Sequence, residues 1–335
     1  MTVAQVRDVA ARAGVSPATV SNAMNHPEKV SPRTLARIRA AIDELGYIRN
    51  DAARQLRAGT NQAIGMLLHD IANPFFTDVA GGVEDVLLAG QRPLILGNSS
   101  QDARRETTYL DLFEQQRMSG VLIAPVGDVL GRLRRLRDRG THVVLVHPTT
   151  RADEFSSVAI DDQMGGRIAT EHLLESGRRR IAFIGPTANP AQIGHRLAAA
   201  RTAVKADGSG EIVLVATDTM SAAAGGSGAE QLLALPTKQH PDAIFAANDL
   251  VALGVLQALT VRGVKVPDDI AIIGYDDTDF AASAAIPLSS VRQPARTMGS
   301  IAASLLLDVV ADPAASRVQH ITLQPELVVR RSTSG

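Results

Sequence analysis

The sequence contains no cysteine and no tryptophan, and aromatic residues make up only 3% of its 335 positions. Without thiols there is no disulfide framework, no thiolate metal site and no cysteine nucleophile. Hydrophobic residues reach 45%, enough for a large core, but Ala, Val, Ile and Leu must fill it. No apolar run approaches the roughly 18 residues of a membrane span. The opening MTVAQVRD lacks the basic stretch and apolar run of an export signal. The expectation is a soluble, cytoplasmic protein. Walker, HExxH and GxSxG patterns are missing too. Gly226-Ser227-Gly228 is only a partial dinucleotide fingerprint and does not directly follow a strand. The acidic pair Asp276-Asp277 has no nucleophile beside it, and adjacent side chains usually point apart. No catalytic residue, metal site or cofactor is expected.

The net charge of −1 hides an asymmetry. Residues 1–60 carry nine Lys or Arg against five Asp or Glu, a net of +4, and the remainder carries −5. A basic head on an acidic body suggests that the head meets an anion such as nucleic acid.

That head is dense in helix signals. Val6, Val9, Ala10 and Ala13 recur at helical spacing, and Gly14 stops the helix they define. Ser16-Pro17 opens a second helix, because Ser accepts a hydrogen bond from a free N–H and Pro at the first position forfeits no helical bond. Ser31-Pro32 repeats the device for a third helix, with Leu35, Ile38, Ile42 and Leu45 on one face and Gly46 at its end. Two short helices joined by a tight Gly-containing turn and braced by a third form the helix-turn-helix plan. In that plan the second helix, here 16–24, enters the major groove. Pro17, Ala18, Ser21 and Asn22 are then free to face DNA, with Val15 and Val20 inward. Asn50 can cap a short helix over 51–58 that contains Arg54, Leu56 and Arg57 and ends at Gly59. Isolated helices under about 12 residues are marginal in water. The segment is therefore either a plain linker or a helix that needs DNA and a second copy of itself.

From Ala63 onward continuous apolar strands alternate with helices in two runs of similar length. The pattern predicts an α/β body of two similar lobes, each with a parallel sheet covered on both faces. Ligand would bind at the carboxyl ends of the strands. Segments near 289–292 and 319–323 should complete the lobes. Residues just after strands are the candidates: His69 and Asp70, Asp161 and Asp162, Asn248 and Asp249, Asp276 and Asp277, with Phe75 and Phe76 starting one helix and Arg196 near the start of another. Carboxylates, Asn, Arg and a ring suit a polyhydroxyl ligand, supplying paired acceptors and donors and an apolar face. Any single Asp or Asn among them could instead be a helix cap, Asn248 above all.

The run VRDVAARAGVSPATVSN from Val6 to Asn22 resembles the signature of the lactose-repressor (LacI) family. So do Val30-Ser31, IDELGY from Ile42 to Tyr47, Asn50, and ARQLR from Ala53 to Arg57. The likeness continues in NPFF from Asn73, EHLL from Glu171, RIAFIG from Arg180, AANDL from Ala246 and GYDD from Gly274, and so covers nearly the whole chain. It implies a helix-turn-helix domain over 1–49, a hinge over 50–60 and a two-lobed, periplasmic-binding-protein-like domain over 61–335 that binds an effector and dimerises. It further implies a homodimeric repressor on a near-palindromic operator. DNA contacts would come from Ser16, Pro17, Ala18, Thr19, Ser21, Asn22, Asn25 and Arg54, with Leu56 as a minor-groove wedge. Effector contacts would come from Phe75, Phe76, Asp161, Arg196, Asn248 and Asp276.

The chain departs from the family's pattern in three places. Asn22 stands where the family usually has Arg or sometimes His. Asn can pair with adenine, or bond phosphate or its own helix instead. Ala199-Ala200 replace a usual Gly-Phe. Residues 203–228 are short and carry no aromatic, which removes a second stacking ring and favours a sugar over a purine. The C-terminus lacks the leucine heptads of a tetramerising extension. The resulting expectation is a ligand-responsive transcriptional regulator. The rivals are a sugar-active enzyme with an accessory DNA-binding head, and a transport binding protein, which the head and the missing export signal oppose.

Overall fold

The computed structural model describes residues 4–47, 61–148, 153–187 and 191–334. The chain forms two compact units, Met1–Thr60 and Asn61–Gly335. The segment with Arg54 and Leu56 lies outside the described residues.

The first unit holds helices α1 (Val6–Ala13), α2 (Pro17–Asn25) and α3 (Pro32–Leu45). Their ends follow from the punctuation in the sequence. Gly14 and Gly46 take left-handed φ of 63° and 57° after α1 and α3. Ser16 Oγ accepts from Thr19 N at 3.1 Å, and Ser31 Oγ accepts from Thr34 N at 3.3 Å. Val9, Ala10, Ala13, Val20, Ala23, Ile38, Ala41 and Tyr47 form the core, with Val15 packed against it. The Arg37 guanidinium donates to the carbonyl of Ala13 and so ties α3 to the turn between α1 and α2.

The second unit has two six-stranded sheets. In the first lobe β1 (Asn61–Leu68), β2 (Leu94–Asn98), β3 (Met118–Ile123), β4 (His142–Val146) and β5 (Ser156–Ile160) are joined by β11 (His320–Leu323) in the order β11-β5-β4-β3-β1-β2. All neighbours there are parallel. In the second lobe β6 (Arg180–Pro186), β7 (Glu211–Thr217), β8 (Ala243–Ala246), β9 (Ala271–Asp276), β10 (Ser289–Arg292) and β12 (Glu326–Val328) run in the order β12-β10-β9-β8-β6-β7. There β12 is the exception, antiparallel to β10. The chain therefore passes between the lobes after β5, after β10 and after β11. The short β12 is absent from the sequence-based expectation, because three residues carry no usable periodicity.

Helices cover the sheets as the apolar strands require. Two helix pairs approach closely enough to need glycine. Helix α4 (Pro74–Ala89) lies on α12 (Ala295–Ala311), where a Cβ at Gly299 would collide with the carbonyl of Val79. Helix α9 (Ala222–Leu233) lies on α10 (Asp249–Val261), where a Cβ at Gly254 would collide with the carbonyl of Ala222. The glycine cluster at 225–228 sits inside α9. Its small residues serve helix packing, which accounts for the fragment of a dinucleotide pattern noted in the sequence.

Candidate functional site

In the head, α2 presents Pro17, Ala18, Asn22 and Asn25 as exposed residues, while Val20 and Ala23 are buried. Ser16 is also exposed, but its hydroxyl caps the helix and lies 2.8 Å from that of Thr19. Asn25 Nδ2 donates to Ser21 O at 2.9 Å. Pro17, Ala18, Ser21 and Asn22 occupy one side of α2, since positions four apart in a helix share a face.

In the body, one cleft is lined by His69, Asn73, Phe75, Phe76, His147, Gln192, Ile193, Arg196, Met220, Asn248, Asp276 and Gln293. Each polar member stands at or just after the carboxyl end of a strand, or in the first turns of the helix that follows. The aromatic wall is the edge-to-face pair Phe75–Phe76, with ring centroids 5.0 Å apart. His69 packs edge-on against Phe76 at 5.5 Å and His147 against Phe75 at 6.0 Å. The free cavity volume is only about 30 Å³, room for a water or two. A larger ligand has to part the lobes or move these rings.

Arg196, in helix α8 (Ala191–Asp207), is the electrostatic centre. It is 3% exposed. Its Nε donates to Asp162 Oδ1 at 2.8 Å, its Nη1 donates to Ala247 O at 2.8 Å, and its guanidinium lies 3.5 Å from the Tyr275 ring centroid. Asp162 opens helix α7 (Asp162–Glu175) and also meets His147 Nε2 at 2.9 Å. Burial alone would raise the Asp162 pKa, but Arg196 and His147 outweigh it and hold it at about 2. Asp276 has a left-handed φ of 111°. It accepts from Gln293 Nε2 at 2.6 Å and from Asn73 Nδ2 at 3.2 Å. Behind it, Asp249 accepts from Thr278 N and from Ser290 Oγ, both at 2.7 Å. Burial pushes both carboxyls up, and the charge of Asp276 pushes Asp249 further. Burial also lowers the His69 pKa to about 4, so its ring is neutral near pH 7.

Five of the six effector candidates, Phe75, Phe76, Arg196, Asn248 and Asp276, line this one cleft. Asn248 is a helix cap as well, with Oδ1 accepting from Val251 N at 2.9 Å. The sixth, Asp161, stands outside it. Its side chain caps α7 by accepting from Met164 N at 2.8 Å, and it borders a separate groove with Arg167 and Ala199. Its neighbour Asp162 faces Arg196 instead, because the helix starts there and one helical step turns the side chain by about 100°. Asp70 and Asp277 also serve local structure. Asp70 accepts from Ala72 N at 2.9 Å, and Asp277 pairs with Arg292 and Arg330. The sequence reading missed Asn73, His147, Gln192 and Gln293 as site residues. Only Asn73 carried a signal, an Asn-Pro at a helix start.

The model for bacterial regulatory proteins of the lacI family matches residues 5–50, and that for a periplasmic binding protein-like domain matches residues 170–333. The repressor PurR of Aliivibrio fischeri is 31% identical over 99% of both chains. The chain belongs to the lacI family of bacterial regulatory proteins. The ribose operon repressor of Escherichia coli K12 is 33% identical over 98% of this chain and 100% of its own. Among solved structures, the lac repressor dimer bound to operator and an anti-inducer superposes over 100% of both chains with a TM-score of 0.81 at 25% identity. A LacI family regulator from Enterococcus faecium with bound ribose superposes over 81% of this chain and 98% of its own, with a TM-score of 0.73 at 27% identity. This family member is a DNA-binding transcriptional regulator with a helix-turn-helix head on a periplasmic-binding-protein-like body. Among the described residues no cluster of His, Asp or Glu could hold a metal ion, and no helix is long and apolar enough to cross a membrane.

Proposed function

We propose that the protein is a homodimeric, cytoplasmic repressor that grips a near-palindromic operator and changes its grip when a sugar-type effector enters the cleft. Residues 1–49 are the DNA-binding domain, 50–60 the hinge and 61–335 the effector-binding and dimerisation domain. Ser16, Pro17, Ala18, Thr19, Ser21, Asn22, Asn25 and Arg54 contact DNA, and Leu56 is the minor-groove wedge. Phe75, Phe76, Arg196, Asn248 and Asp276 contact effector, joined by Asn73, His147, Gln192 and Gln293.

The observation that carries this reading is the cleft itself. An aromatic pair on one lobe faces Arg196, Asn248 and Asp276 on the other, the combination that stacks a sugar ring and bonds its hydroxyls. The bound ribose of the Enterococcus regulator agrees with it. Ile193 and Met220 line the cleft on the second lobe, where a purine would want a ring. Lobe closure around the effector shifts a population that the hinge segments sense, and DNA affinity moves only by the effector's preference for one state.

The test is to select an operator from random DNA and measure its affinity with and without a panel of sugars, polyols, sugar phosphates and nucleosides. At least one compound should change operator affinity and be recovered unchanged after incubation. Turnover of the bound compound would instead support an enzyme with an accessory DNA-binding head.

A further inference from the structure

The outer side of α7 carries two adjoining grooves, and none of their residues lines the cleft. One runs between α7 and α8 with a free volume of about 460 Å³, over a floor of Met164, Ala198, Ala199, Ala203 and Ala206. The other, about 410 Å³, lies on the β12 side of α7, where Met164 and Ile168 meet Pro325 and Leu327. Met164 and Glu171 belong to both, so the two form one surface across the helix.

The grooves follow from side-chain size. The two helices approach so closely that a Cβ at Gly166 would collide with the Arg196 carbonyl. Beyond that crossing α8 lines the gap with four alanines, which do not reach across it. An exposed helical position is ordinarily covered by a long charged side chain that lays its stem over apolar surface. Here the nearby polar groups are committed elsewhere. Thr202 Oγ1 donates to Ala198 O at 2.9 Å, and His172 Nε2 meets Thr333 Oγ1 at 2.7 Å.

The rim has one sign of charge in excess. Asp161, Glu171, Glu175 and Glu326 stand against one lining guanidinium, Arg167. Arg167 lies 3.5 Å from Glu171, and Arg292 reaches Glu326 from outside at 3.8 Å. Burial lowers the His172 pKa, so its ring adds no positive charge near pH 7. An acidic rim around an apolar floor matches the opposite pattern, an apolar stripe flanked by Lys or Arg. A gap between two helices admits a third by packing ridges into grooves. Ala198 to Ala206 spans about 12 Å, roughly two turns of a facing helix.

We propose that the α7–α8 groove docks a partner protein through a basic amphipathic helix. Small apolar side chains of that helix sit on Met164, Ala199 and Ala203, and its Lys or Arg residues pair with Asp161 and Glu171, and one turn further on with Glu175. This surface is independent of the effector reading.

The experiment takes the full-length protein and a library of helix-forming peptides randomised on one face, selected on the parent and counter-selected on Ala198→Arg. Ala198 and Ala206 are exposed, so Arg at either fills the groove and offsets its acids without entering the core. Retained peptides should carry Lys or Arg beside apolar residues three and four apart. Fluorescence anisotropy of one labelled peptide then gives affinities. Glu171→Lys and Ala206→Arg should each weaken it about tenfold or more, and added salt should weaken it in the parent. Asp268→Lys, which reverses an exposed acid outside both grooves, should leave it unchanged. Thermal unfolding identifies the folded variants, and Ala198→Gln and Ala206→Gln replace any Arg variant that unfolds early. A selection that yields no groove-dependent peptide, or only acidic or uncharged ones, overturns the proposal. Equal affinity for the parent and the folded Glu171 and Ala206 variants also overturns it. Larger assemblies of the protein itself, abolished by the same variants, would assign the groove to a second copy and overturn it too.

Discussion

Arg196 and Asp162 form an ion pair that is almost fully shielded from water, 2.8 Å apart with each side chain 4% exposed. They sit on neighbouring helices of the second lobe, and Asp162 also reaches His147, which follows β4 of the first. The pair couples the floor of the cleft to the passage between lobes. Removing one partner would strand a buried charge. Asp162→Ala should therefore destabilise the protein by about 3–5 kcal/mol. Asp161→Ala, which removes only a helix cap, should cost about 1 kcal/mol. Urea denaturation of the two variants checks the contrast, and equal losses would reverse the assignment of roles to these adjacent acids.

The glycines of the α9–α10 pair should differ sharply. A Cβ at Gly254 would run into the Ala222 carbonyl, whereas one at Gly226 would lie 3.5 Å from the Gly254 carbonyl oxygen, an ordinary contact. Gly254→Ala should lower stability by about 1–3 kcal/mol or more, as overpacking does. Gly226→Ala should be neutral or gain up to about 1 kcal/mol from helix propensity. Thermal unfolding of both variants reads this directly.

Burial lowers the His69 pKa from 6.5 to about 4. Below pH 6.5 the unfolded chain therefore takes up a proton here that the folded one refuses. The stability difference favours the folded state fully above pH 6.5 and shrinks as pH falls towards 4. Burial raises the Asp249 and Asp276 carboxyls above the usual range, which acts in the opposite sense, so the effects partly cancel in the parent protein. The checkable quantity is the difference between parent and His69→Gln. The parent should lose stability relative to the variant as pH falls from about 6.5 to 4. A pH-independent difference would mean that His69 does not titrate on unfolding.

On α2, Asn22 is exposed on the side shared with Pro17, Ala18 and Ser21. If it reads a base, Asn22→Ala should relax preference at one position of each half-site, at about 1–3 kcal/mol per lost bidentate contact. Selection from random DNA with both proteins measures this, and an unchanged consensus would assign Asn22 to phosphate. Leu56→Ala should weaken specific binding more than non-specific binding at matched salt, since a wedge acts only where the duplex is kinked.

Much of this architecture was legible because it rests on local rules. Ser16-Pro17, Ser31-Pro32, Gly14 and Gly46 mark helix ends by their own chemistry, and apolar strands such as 142–146 can only be buried. The cleft was legible where a residue lay at a strand end and differed in kind from its surroundings, as with Phe75, Arg196 and Asp276. It was not legible at Gln192 and Gln293, single amides with no periodic partner, whose importance comes from strands that meet only in the folded chain. The Asp161–Asp162 choice depended on the first residue of α7, and helix starts are the least determined feature of a sequence.

The most direct test of the account is operator affinity measured against a sugar that binds the parent protein, in the parent protein and in Phe76→Ala. The account predicts a change of at least about tenfold, a coupling near 1.4 kcal/mol, in the parent and little or none in the variant at the same concentration. Unchanged operator affinity in a parent protein shown to be saturated with that sugar would contradict it.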